Sequence, residues 1–270
     1  MPDAQTFKSR YGPWALVTGA ARGLGMEFAR QIPPLGLNLV LVDMLQDELA
    51  QVADEARQLG DVEVRTVITD LSQPDFIDAV RQQTDDIEVG LLVSNAAHTP
   101  VGLFLDTPAE DKLKMVAVNV RAALVLVQEF APRMVARRRG GIILMSSASA
   151  LTGAPYVANY AATKAYNLIL AESLWYELRP HGVDVLGFMP GATRTTGFVM
   201  SKPKLERSKI APVMHPQPTV AEALAALGKG PSRVAGRRNR WSMLLTTRLL
   251  PRRTAIAVVG RTMGRWYGKE

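Results

Sequence analysis

Cysteine is absent from this 270-residue sequence, and histidine occurs only at His98, His181 and His215. Without cysteine there is no disulfide, no thiolate metal ligand and no thiol nucleophile. Three histidines so far apart in the sequence also argue against a histidine-rich metal site. We therefore expect no metal centre.

Long uncharged apolar stretches are missing as well. No such run reaches the roughly 18 residues that a membrane-spanning helix needs. The N-terminal residues MPDAQTFKSRYGPW lack the apolar centre of a signal peptide. With 47% hydrophobic residues, the chain suits one large α/β domain and is too short for two ordinary domains with a linker. We expect a cytoplasmic protein.

Acidic residues are scarce at the C-terminal end. Residues 201–270 contain 15 Lys and Arg and 3 Asp and Glu, a balance of +12, which leaves 17 basic and 22 acidic residues, or −5, elsewhere. In residues 237–270 arginines alternate with Leu, Ile, Val, Met and Trp, a pattern typical of an interfacial amphipathic helix. This segment predicts either peripheral contact with an anionic membrane or a basic helix packed on the protein body or a neighbouring subunit. No nucleic-acid-binding module is recognisable, and we expect no nucleic-acid partner.

Short apolar runs alternate with amphipathic stretches of helical length, as in βαβ units around a parallel sheet. The predicted strands are 14–18, 38–43, 62–69, 88–93, 141–146, 183–189 and 232–235. The predicted helices are 24–32, 46–59, 74–84, 108–136, 157–179 and 219–228. Proline has no backbone donor, so Pro33 and Pro34 end the first helix near Gln31. Residues 195–218 contain several prolines and predict a loop or lid.

A glycine-rich turn, Thr18 to Gly25 (TGAARGLG), follows the first strand and opens the first helix. Glycine lets the backbone approach a pyrophosphate, and the helix N-terminus supplies free N–H groups, so this motif predicts a dinucleotide site. Asp43 ends the second strand, where an acidic residue accepts the ribose hydroxyls and repels a 2′-phosphate. Arg22 favours NADP instead, because its guanidinium could pair with that phosphate. We expect NAD, with NADP as the alternative.

A second set of residues carries acid–base chemistry. Tyr160 and Lys164 are four positions apart and share one face of a helix. A nearby ammonium stabilises a phenolate and lowers the tyrosine pKa, which suits a general acid–base. Ser147 lies thirteen positions before Tyr160 at the end of an apolar strand, and this spacing favours it over the neighbouring Ser146.

Over residues 12–235 the chain resembles the short-chain dehydrogenase/reductase family. The resemblance rests on the ordered set TGAARGLG, Asn95-Ala96-Ala97, Asn119, Ser147, Tyr160, Lys164 and Pro190-Gly191. It implies one doubly wound Rossmann-type domain over 1–236 with a mostly parallel seven-stranded sheet, followed by a basic C-terminal extension over 237–270. It also implies a homodimer or homotetramer assembled through the helices at 108–136 and 157–179.

The resemblance also implies the roles of the site residues. Tyr160 would be the general acid–base, Ser147 would hydrogen-bond the substrate oxygen, Lys164 would also hold the nicotinamide ribose, and Asn119 would position a proton-relaying water. In the turn after the sixth strand, Thr195 would contact the carboxamide, with Thr193 as the second candidate. Asp70 is either an adenine contact or a helix cap. The cofactor-binding set is then Gly19, Arg22, Gly23, Leu24, Gly25, Asp43, Asp70, Leu71, Asn95, Ala96, Tyr160, Lys164, Pro190, Gly191, Thr193 and Thr195.

The sequence departs from the family pattern at Ala97, where a glycine is usual. An alanine there is strained if the backbone needs positive φ, and otherwise only narrows the site. His98, which follows it, is interpreted as a loop residue. The loops expected to border the substrate are 97–105, 148–157 and 192–215. Their apolar side chains are Val101, Leu103, Phe104, Leu151, Tyr156, Phe198, Val199, Met200 and Met214.

This inventory predicts an oxidoreductase that interconverts a hydrophobic secondary alcohol and its ketone by hydride transfer with NAD(H). The alternative is a non-catalytic dinucleotide-binding regulator or scaffold on the same fold. Such a protein would be expected to lack one of Ser147, Tyr160 and Lys164, and all three are present.

Overall fold

A computed structural model of the chain describes residues 2–204 and 213–268. Its seven strands form one parallel sheet in the order β3-β2-β1-β4-β5-β6-β7. The strands are β1 (Trp14–Thr18), β2 (Asn38–Asp43), β3 (Val64–Ile68), β4 (Val89–Ser94), β5 (Gly140–Met145), β6 (Val183–Met189) and β7 (Ser232–Val234). The strand order reverses between β1 and β4, which confirms the doubly wound fold and opens a crevice at the carboxyl ends of these strands.

Helices cover both faces of the sheet. They are α1 (Ala4–Tyr11), α2 (Gly23–Gln31), α3 (Gln46–Gln58), α4 (Phe76–Gln82), α5 (Ala109–Val116), α6 (Ala122–Ala136), α7 (Ala158–Leu178), α8 (Thr196–Met200), α9 (Pro216–Ala226), α10 (Arg237–Leu244) and α11 (Arg252–Tyr267). As predicted, α2 stops at Gln31, and Pro33–Leu35 forms a 3₁₀ turn.

The apolar strands create two core layers, one on each side of the sheet. One layer contains Phe28 and Phe188, and the other contains Leu16, Leu126 and Phe130. These five side chains are at most 1% exposed. Burial of apolar surface on both faces explains why the strands read as continuous hydrophobic runs.

The helical stretch Ala109–Ala136 is the one that is long and apolar enough to cross a membrane by length and composition, among the residues that the structure describes. It packs here against β4 and β5 through the buried side chains Leu126 and Phe130. The core helix of a globular protein passes the same test, so this stretch is weak evidence for a membrane span.

Helix α1 was not predicted. Its start carries a local signal, because the Asp3 carboxylate accepts from the Thr6 backbone N–H at 2.8 Å. At its other end, the Tyr11 hydroxyl donates to Asp184 Oδ2 at 2.7 Å, tying α1 to β6.

The prediction of a loop over 195–218 is wrong at its two ends. Residues Thr196–Met200 form α8, which the Thr195 hydroxyl caps by accepting from Phe198 N at 3.2 Å. Helix α9 already begins at Pro216, a residue that fits the first turn because it needs no donor there. Residues 205–212 of this predicted loop lie outside the described part of the chain.

The C-terminal segment is helical and packs on the protein body. Helix α10 continues into a π-helical turn, Leu245–Leu249, and α11 follows. Ala255 and Trp266 are only 1% and 5% exposed, although both belong to the basic segment. The buried side chains of Ala255 and Trp266 fit the predicted arrangement in which the segment packs on the protein body. The domain boundary between residues 236 and 237 stays a prediction.

Candidate active site

The glycine turn joins β1 to α2 at the switch point of the sheet. Gly19 and Gly23 have φ of +65° and +62°, the left-handed region that favours glycine. A Cβ on Gly19 would lie 2.8 Å from the Ala96 Cα, and one on Gly25 would lie 1.9 Å from the Gly19 carbonyl oxygen. Arg22, at the N-cap of α2, makes no side-chain capping bond. The N-terminal N–H groups of α2 therefore face a tight glycine cradle, which fits a pyrophosphate.

The Asp43 carboxylate lies beside this turn at the end of β2. Its Oδ2 accepts from Ala21 N at 3.0 Å, and its Oδ1 accepts from Met44 N at 2.8 Å and Leu45 N at 3.1 Å. A carboxylate offers about four lone-pair positions, so these backbone bonds leave little accepting capacity for ribose hydroxyls. They also link Asp43 directly to the glycine turn.

The Arg22 side chain points to α3, where it forms an ion pair with Glu48. Both side chains are more than a third exposed. The acidic partner offsets the charge that Arg22 would offer to a 2′-phosphate.

The remaining predicted cofactor residues at this end of the sheet serve partly as scaffold. Leu24 packs on one core layer and Leu71 on the other. The Asp70 Oδ1 accepts from Ser72 N at 2.8 Å, and the Lys114 ammonium lies 3.5 Å from Oδ2. Burial alone would raise the pKa of Asp70, but the Ser72 N–H and Lys114 lower it more.

Asn95 fastens the end of β4 to the glycine turn. Its Nδ2 donates to the carbonyl oxygens of Thr18 and Gly19 at 2.9 and 3.2 Å. The Thr18 hydroxyl oxygen accepts from the backbone N–H groups of Asn95 and Ala96 at 3.0 and 3.1 Å. The amide of Asn95 is thus used to hold the turn. Ala97 is not among the residues with positive φ, so alanine is unstrained there.

The two neighbouring serines after β5 point in different directions. The Ser146 hydroxyl is buried and donates to the Lys164 carbonyl oxygen at 2.7 Å, which fixes β5 to α7. The Ser147 hydroxyl oxygen accepts from Ser149 N at 3.2 Å and from Ser149 Oγ at 3.0 Å. The two bonds from Ser149 occupy the accepting positions of Ser147, so its proton can be donated to an oxygen in the site, and the Ser147 hydroxyl acts to lower the pKa of Tyr160.

Tyr160 and Lys164 face this serine from α7. Lys164 is 2% exposed, its Nζ lies 5.7 Å from the centroid of the Tyr160 ring, and it donates to the Met145 carbonyl oxygen at 2.8 Å. Burial lowers the pKa of Lys164 from 10.5 to about 8. The structure therefore brings Ser147, Tyr160 and Lys164 together at the carboxyl end of β5.

The prediction that the pKa of Tyr160 is lowered is not confirmed. Burial raises the pKa of Tyr160 above 10, and the hydrogen bond with Ser147 offsets only part of this rise. The physical reason is that the phenolate loses its solvation in the core of the site, whereas the ammonium lies beyond hydrogen-bond distance of it.

Asn119 sits on a π-helical turn, Ala117–Arg121, between α5 and α6. Its Oδ1 accepts from His98 N at 2.8 Å, and its Nδ2 donates to His98 O and Thr163 Oγ1, both at 3.1 Å. The Asn119 carbonyl oxygen accepts from Asn167 Nδ2 at 3.0 Å. The extra residue of a π turn frees this segment from regular α geometry, a feature frequent at functional sites. His98 is a loop residue, as interpreted from the sequence.

The turn after β6 closes the crevice from the other side. Pro190 O accepts from Ala148 N at 3.0 Å, and the Thr193 hydroxyl donates to Gly191 O at 3.0 Å. Thr195 lies opposite the glycine turn, since a Cβ on Gly23 would be 3.2 Å from the Thr195 Cβ. The predicted residues of this turn thus border the same crevice as the glycine cradle.

The predicted substrate-facing side chains divide into several groups. Val101 and Tyr160 both pack against a small apolar cluster of Ala154, Val157 and Ala161. Met214 packs on the core, and its sulfur accepts from Asn239 Nδ2 at 3.2 Å. Phe198 stacks edge-on against Trp266, with centroids 6.1 Å apart. The side chains that are 48–67% exposed are Leu103, Phe104, Val199 and Met200.

Sequence reasoning missed four contributors to the site: Thr18, Thr163, Val259 and Met263. Thr18 opens the glycine motif, and that position was its available signal. Thr163 lies between Tyr160 and Lys164, and its hydroxyl donates to Tyr160 O at 2.8 Å. Val259 and Met263 of α11 pack against the same small apolar cluster as Tyr160 does, formed by Ala154, Val157 and Ala161. No local signal points to these two residues, because tertiary packing alone brings them there.

Comparison with known proteins agrees with this geometry. A family model described as short chain dehydrogenase matches residues 13–206. The 7beta-hydroxysteroid dehydrogenase of Collinsella aerofaciens is 32% identical over 240 residues, covering 87% of this chain and 90% of that protein.

Two solved structures share the fold. One, from a study of 7beta-hydroxysteroid dehydrogenase stereoselectivity, has a TM-score of 0.87 and 30% identity, and the match covers 94% of this chain and 98% of that one. A short-chain dehydrogenase from Sphingobium yanoikuyae in complex with NADPH has a TM-score of 0.78 and 28% identity, with coverage of 88% and 94%.

The chain belongs to the short-chain dehydrogenase family. It is accordingly an NAD(P)-dependent oxidoreductase that acts on CH–OH and C=O groups.

Proposed function

We propose that this enzyme interconverts a hydrophobic secondary alcohol and its ketone, with Tyr160 as the general acid–base. One observation carries the proposal. The Lys164 ammonium lies 5.7 Å from the centroid of the Tyr160 ring, and the Ser147 hydroxyl acts to lower the pKa of Tyr160, in the crevice that also holds the glycine turn.

In ketone reduction the nicotinamide cofactor, when bound, supplies the hydride that the carbonyl carbon accepts. Tyr160 donates its hydroxyl proton to the carbonyl oxygen, and it takes that proton back when the alcohol is oxidised. Ser147 donates a hydrogen bond to the same oxygen. This role is supported by the two bonds from Ser149, which leave only its proton free.

We propose that the positive charge of Lys164 offsets the negative charge of the Tyr160 phenolate. One of its three N–H donors bonds to Met145 O, which leaves two for the phenolate side and for the nicotinamide ribose. Asn119 positions the water that carries protons to solvent, through a main-chain carbonyl oxygen that still has a free lone pair beside its bond from Asn167.

The remaining predicted residues would hold the cofactor from the ends of five strands, β1, β2, β3, β4 and β6. The cradle of Gly19, Gly23 and Gly25 supports a pyrophosphate site, and the turn from Pro190 to Thr195 supports a nicotinamide site across from it. Asp43 and Asp70 border the ribose and adenine ends, with Arg22, Leu24, Leu71, Asn95 and Ala96 completing the wall.

We infer a preference for NAD. Asp43 and Glu48 contribute two negative charges near the adenosine ribose, against one positive charge from Arg22. The residue after Asp43 is Met44, so this position supplies no cation for a 2′-phosphate. The NADPH complex of the Sphingobium relative favours the opposite preference and makes the comparison of both cofactors essential.

A hydrophobic substrate is supported by the apolar loops around Tyr160 and by the steroid named in the Collinsella relative. Exposed apolar side chains on the 109–136 and 157–179 helices support a homo-oligomer. We place the protein in the cytoplasm, with the 237–270 segment as a membrane-peripheral surface.

The test is turnover of a hydrophobic ketone panel with NADH and NADPH, for wild type, Tyr160→Phe and the control Tyr166→Phe. Tyr166 is on the same helix but 38% exposed. Tyr160→Phe should lower kcat by roughly 10²–10⁴ because a general acid–base is lost. NADH affinity, followed by fluorescence, should change little because the ring stays.

A Tyr160→Phe enzyme that keeps more than about a tenth of wild-type kcat would contradict the assignment, given the usual contribution of such a group. Wild type that binds NADH but reduces no ketone would favour the regulator alternative. A kcat/KM at least about tenfold higher with NADPH, equivalent to 1.4 kcal/mol, would overturn the NAD preference.

A further inference from the structure

Helix α7 carries a buried polar face that continues past the acid–base pair. Thr163, Lys164 and Asn167 are 3%, 2% and 2% exposed. They follow Tyr160 at three, four and seven positions, spacings that share one side of a helix. A buried polar side chain costs free energy unless it is hydrogen-bonded, so each of the three needs partners. Asn167 extends this polar face by one turn beyond Lys164.

The amide of Asn167 holds the main chain of Asn119. Asn167 Nδ2 donates to the Asn119 carbonyl oxygen at 3.0 Å. This carbonyl belongs to the π-helical turn Ala117–Arg121, in which Ala122 N donates to Ala117 O, five residues earlier. Because a π turn departs from regular α geometry, its carbonyl groups are not aimed by α-helical pairing alone. The bond from Asn167 therefore helps to set the direction of the Asn119 carbonyl.

The second polar atom of this amide, Asn167 Oδ1, is buried and has no hydrogen-bond partner among the described residues. A carbonyl oxygen can only accept, so Nδ2 must face Asn119 and Oδ1 must face another donor. Buried acceptors are nearly always satisfied. Where the protein supplies no donor, the usual partner is a buried water, which typically makes about three hydrogen bonds.

The side-chain amide of Asn119 is committed to the surrounding structure. Its Oδ1 accepts from His98 N at 2.8 Å, and its Nδ2 donates to His98 O and Thr163 Oγ1, both at 3.1 Å. The group of Asn119 that serves a water is therefore its main-chain carbonyl. Next to that carbonyl stands a second acceptor, Asn167 Oδ1, on the same amide that bonds to it.

We propose that Asn167 is a positioning residue for the proton relay, with Nδ2 aiming the Asn119 carbonyl oxygen and Oδ1 accepting the second hydrogen bond of the relay water. This inference rests on the proposed function of Tyr160. Once the ketone oxygen has taken the Tyr160 proton, a phenolate is left, which must regain a proton before the next turnover. The water passes one proton inward and takes one from solvent, so it ends as it began.

The experiment replaces Asn167 by leucine, which has a similar shape but neither donor nor acceptor. Gln31→Leu is the matched control. Gln31 is also a buried amide, 6% exposed, whose Nε2 donates to Gln217 O at 2.9 Å and whose Oε1 is buried without a partner among the described residues. It joins α2 to α9 instead of α7 to the π-helical turn. The measurement is NADH oxidation with an excess of the best ketone of the panel, followed from the first turnover into the steady state.

In Asn167→Leu the first turnover should keep its wild-type rate, because Tyr160 starts with its own proton. Later turnovers should slow by about tenfold or more, since a small misplacement of a reacting group is costly, and a burst of about one NADH per active site should result. The slow phase should show a larger solvent deuterium isotope effect than wild type, at unchanged NADH affinity. Gln31→Leu should lower the thermal midpoint similarly but show no burst and no change in the isotope effect.

A first turnover and a steady state that slow together, at an unchanged isotope effect, would identify a purely structural role and overturn the inference. A kcat equal to that of wild type would overturn it as well. If Asn167→Leu yields no folded protein, Asn167→Ser takes its place, because the shorter serine hydroxyl bonds to the backbone of its own helix and leaves Asn119 unheld. The same burst is expected from this variant.

Crystal structures of wild type and the Asn167 variant separate this inference from the proposed function. An ordered water within about 3 Å of both Asn167 Oδ1 and the Asn119 carbonyl oxygen, lost in the variant, would support the positioning role. Wild type that holds this water but reduces no ketone contradicts only the proposed chemistry. Wild type without a water at Asn167 Oδ1, or the same water in both proteins, would overturn the assignment of Asn167.

Discussion

Lys164 carries its amine in a position that is 2% exposed, with Met145 O as its hydrogen-bond acceptor. The pKa of about 8, lowered by burial, means that the folded protein holds this proton less firmly than an exposed lysine does. The same burial that serves the site therefore costs stability. Relative to the ordinary 10.5, the difference corresponds to about 3 kcal/mol of free energy of unfolding.

This cost depends on pH with a definite sign. Below pH 8 the amine is protonated in both states, and the folded state bears the whole cost of the buried charge. Between pH 8 and 10.5 the unfolded chain binds more protons than the folded one, so the Lys164 contribution to stability improves as pH rises. We expect the free energy of unfolding of Lys164→Met, minus that of wild type, to be more positive at pH 7 than at pH 9.5.

The measurement is urea unfolding of both proteins at the two pH values without cofactor, with the exposed Lys229→Met as control. Loss of the bond to Met145 O affects the variant equally at both values and cancels in the comparison. A difference between Lys164→Met and wild type that stays constant from pH 7 to 9.5 would show that Lys164 keeps its ordinary pKa.

At the same scale, sequence spacing was enough to predict that Ser147, Tyr160 and Lys164 lie together. Adjacent residues at a strand end face opposite sides, which is why Ser146 turns to the α7 backbone while Ser147 enters the site. The direction of the Tyr160 pKa shift was not accessible from sequence, because burial raises this pKa and burial is a property of the whole fold. The backbone bonds of Asp43 were hidden for the same reason.

At the scale of elements, strands β1, β2 and β6 begin and end where the sequence predicts. Their apolar runs are bounded by glycine, proline or acidic residues, so local chemistry suffices. Helix α11 is different, since its arginines and apolar residues predict an amphipathic helix but do not say which surface the apolar face meets. Its position on the protein body depends on contacts with Leu151, Ser201 and Lys204, all distant in sequence.

We propose that the oligomer assembles through exposed apolar faces of α5, α6 and α7. On α5, α6 and α7 the side chains of Leu113, Leu124, Ile169 and Tyr176 are 44–70% exposed. Burying such apolar area in a symmetric contact is favourable at roughly 25 cal/mol per Å². We expect wild type to be a dimer or tetramer and Ile169→Arg to shift it to smaller species, because an unpaired charge would be placed in the contact.

Light scattering coupled to size exclusion measures this shift. Leu59→Arg is the matched control, since Leu59 is 45% exposed but lies after α3, on another part of the surface. Monomeric wild type, or an Ile169→Arg protein of unchanged mass, would contradict assembly through these helices.

At the scale of the whole molecule, part of the excess positive charge of the C-terminal segment lies on an exposed surface. The inner face of α11 packs on the cluster of Ala154, Val157 and Ala161, while the exposed residues of the 237–250 stretch include both arginines and large apolar side chains. Trp241, Leu245 and Leu249 are 51–69% exposed there. A surface that combines exposed arginine with tryptophan and leucine suits the headgroup region of an anionic bilayer. Such a surface would keep the enzyme close to membrane-dissolved ketones.

We therefore expect the protein to sediment with vesicles that contain phosphatidylserine and to lose this binding as salt rises, because the screening length shortens to about 8 Å at physiological ionic strength.

Deleting 237–270 would remove the buried Ala255 and Trp266, so point variants test the surface more specifically. Arg237→Gln/Arg238→Gln should weaken binding by about 2 kcal/mol, at about 1 kcal/mol for each arginine near the surface. Arg30→Gln/Arg57→Gln, with the same loss of charge on α2 and α3, should bind as wild type does. Equal binding to neutral phosphatidylcholine vesicles, or equal loss in both double variants, would mean that net charge or apolar contact alone governs association.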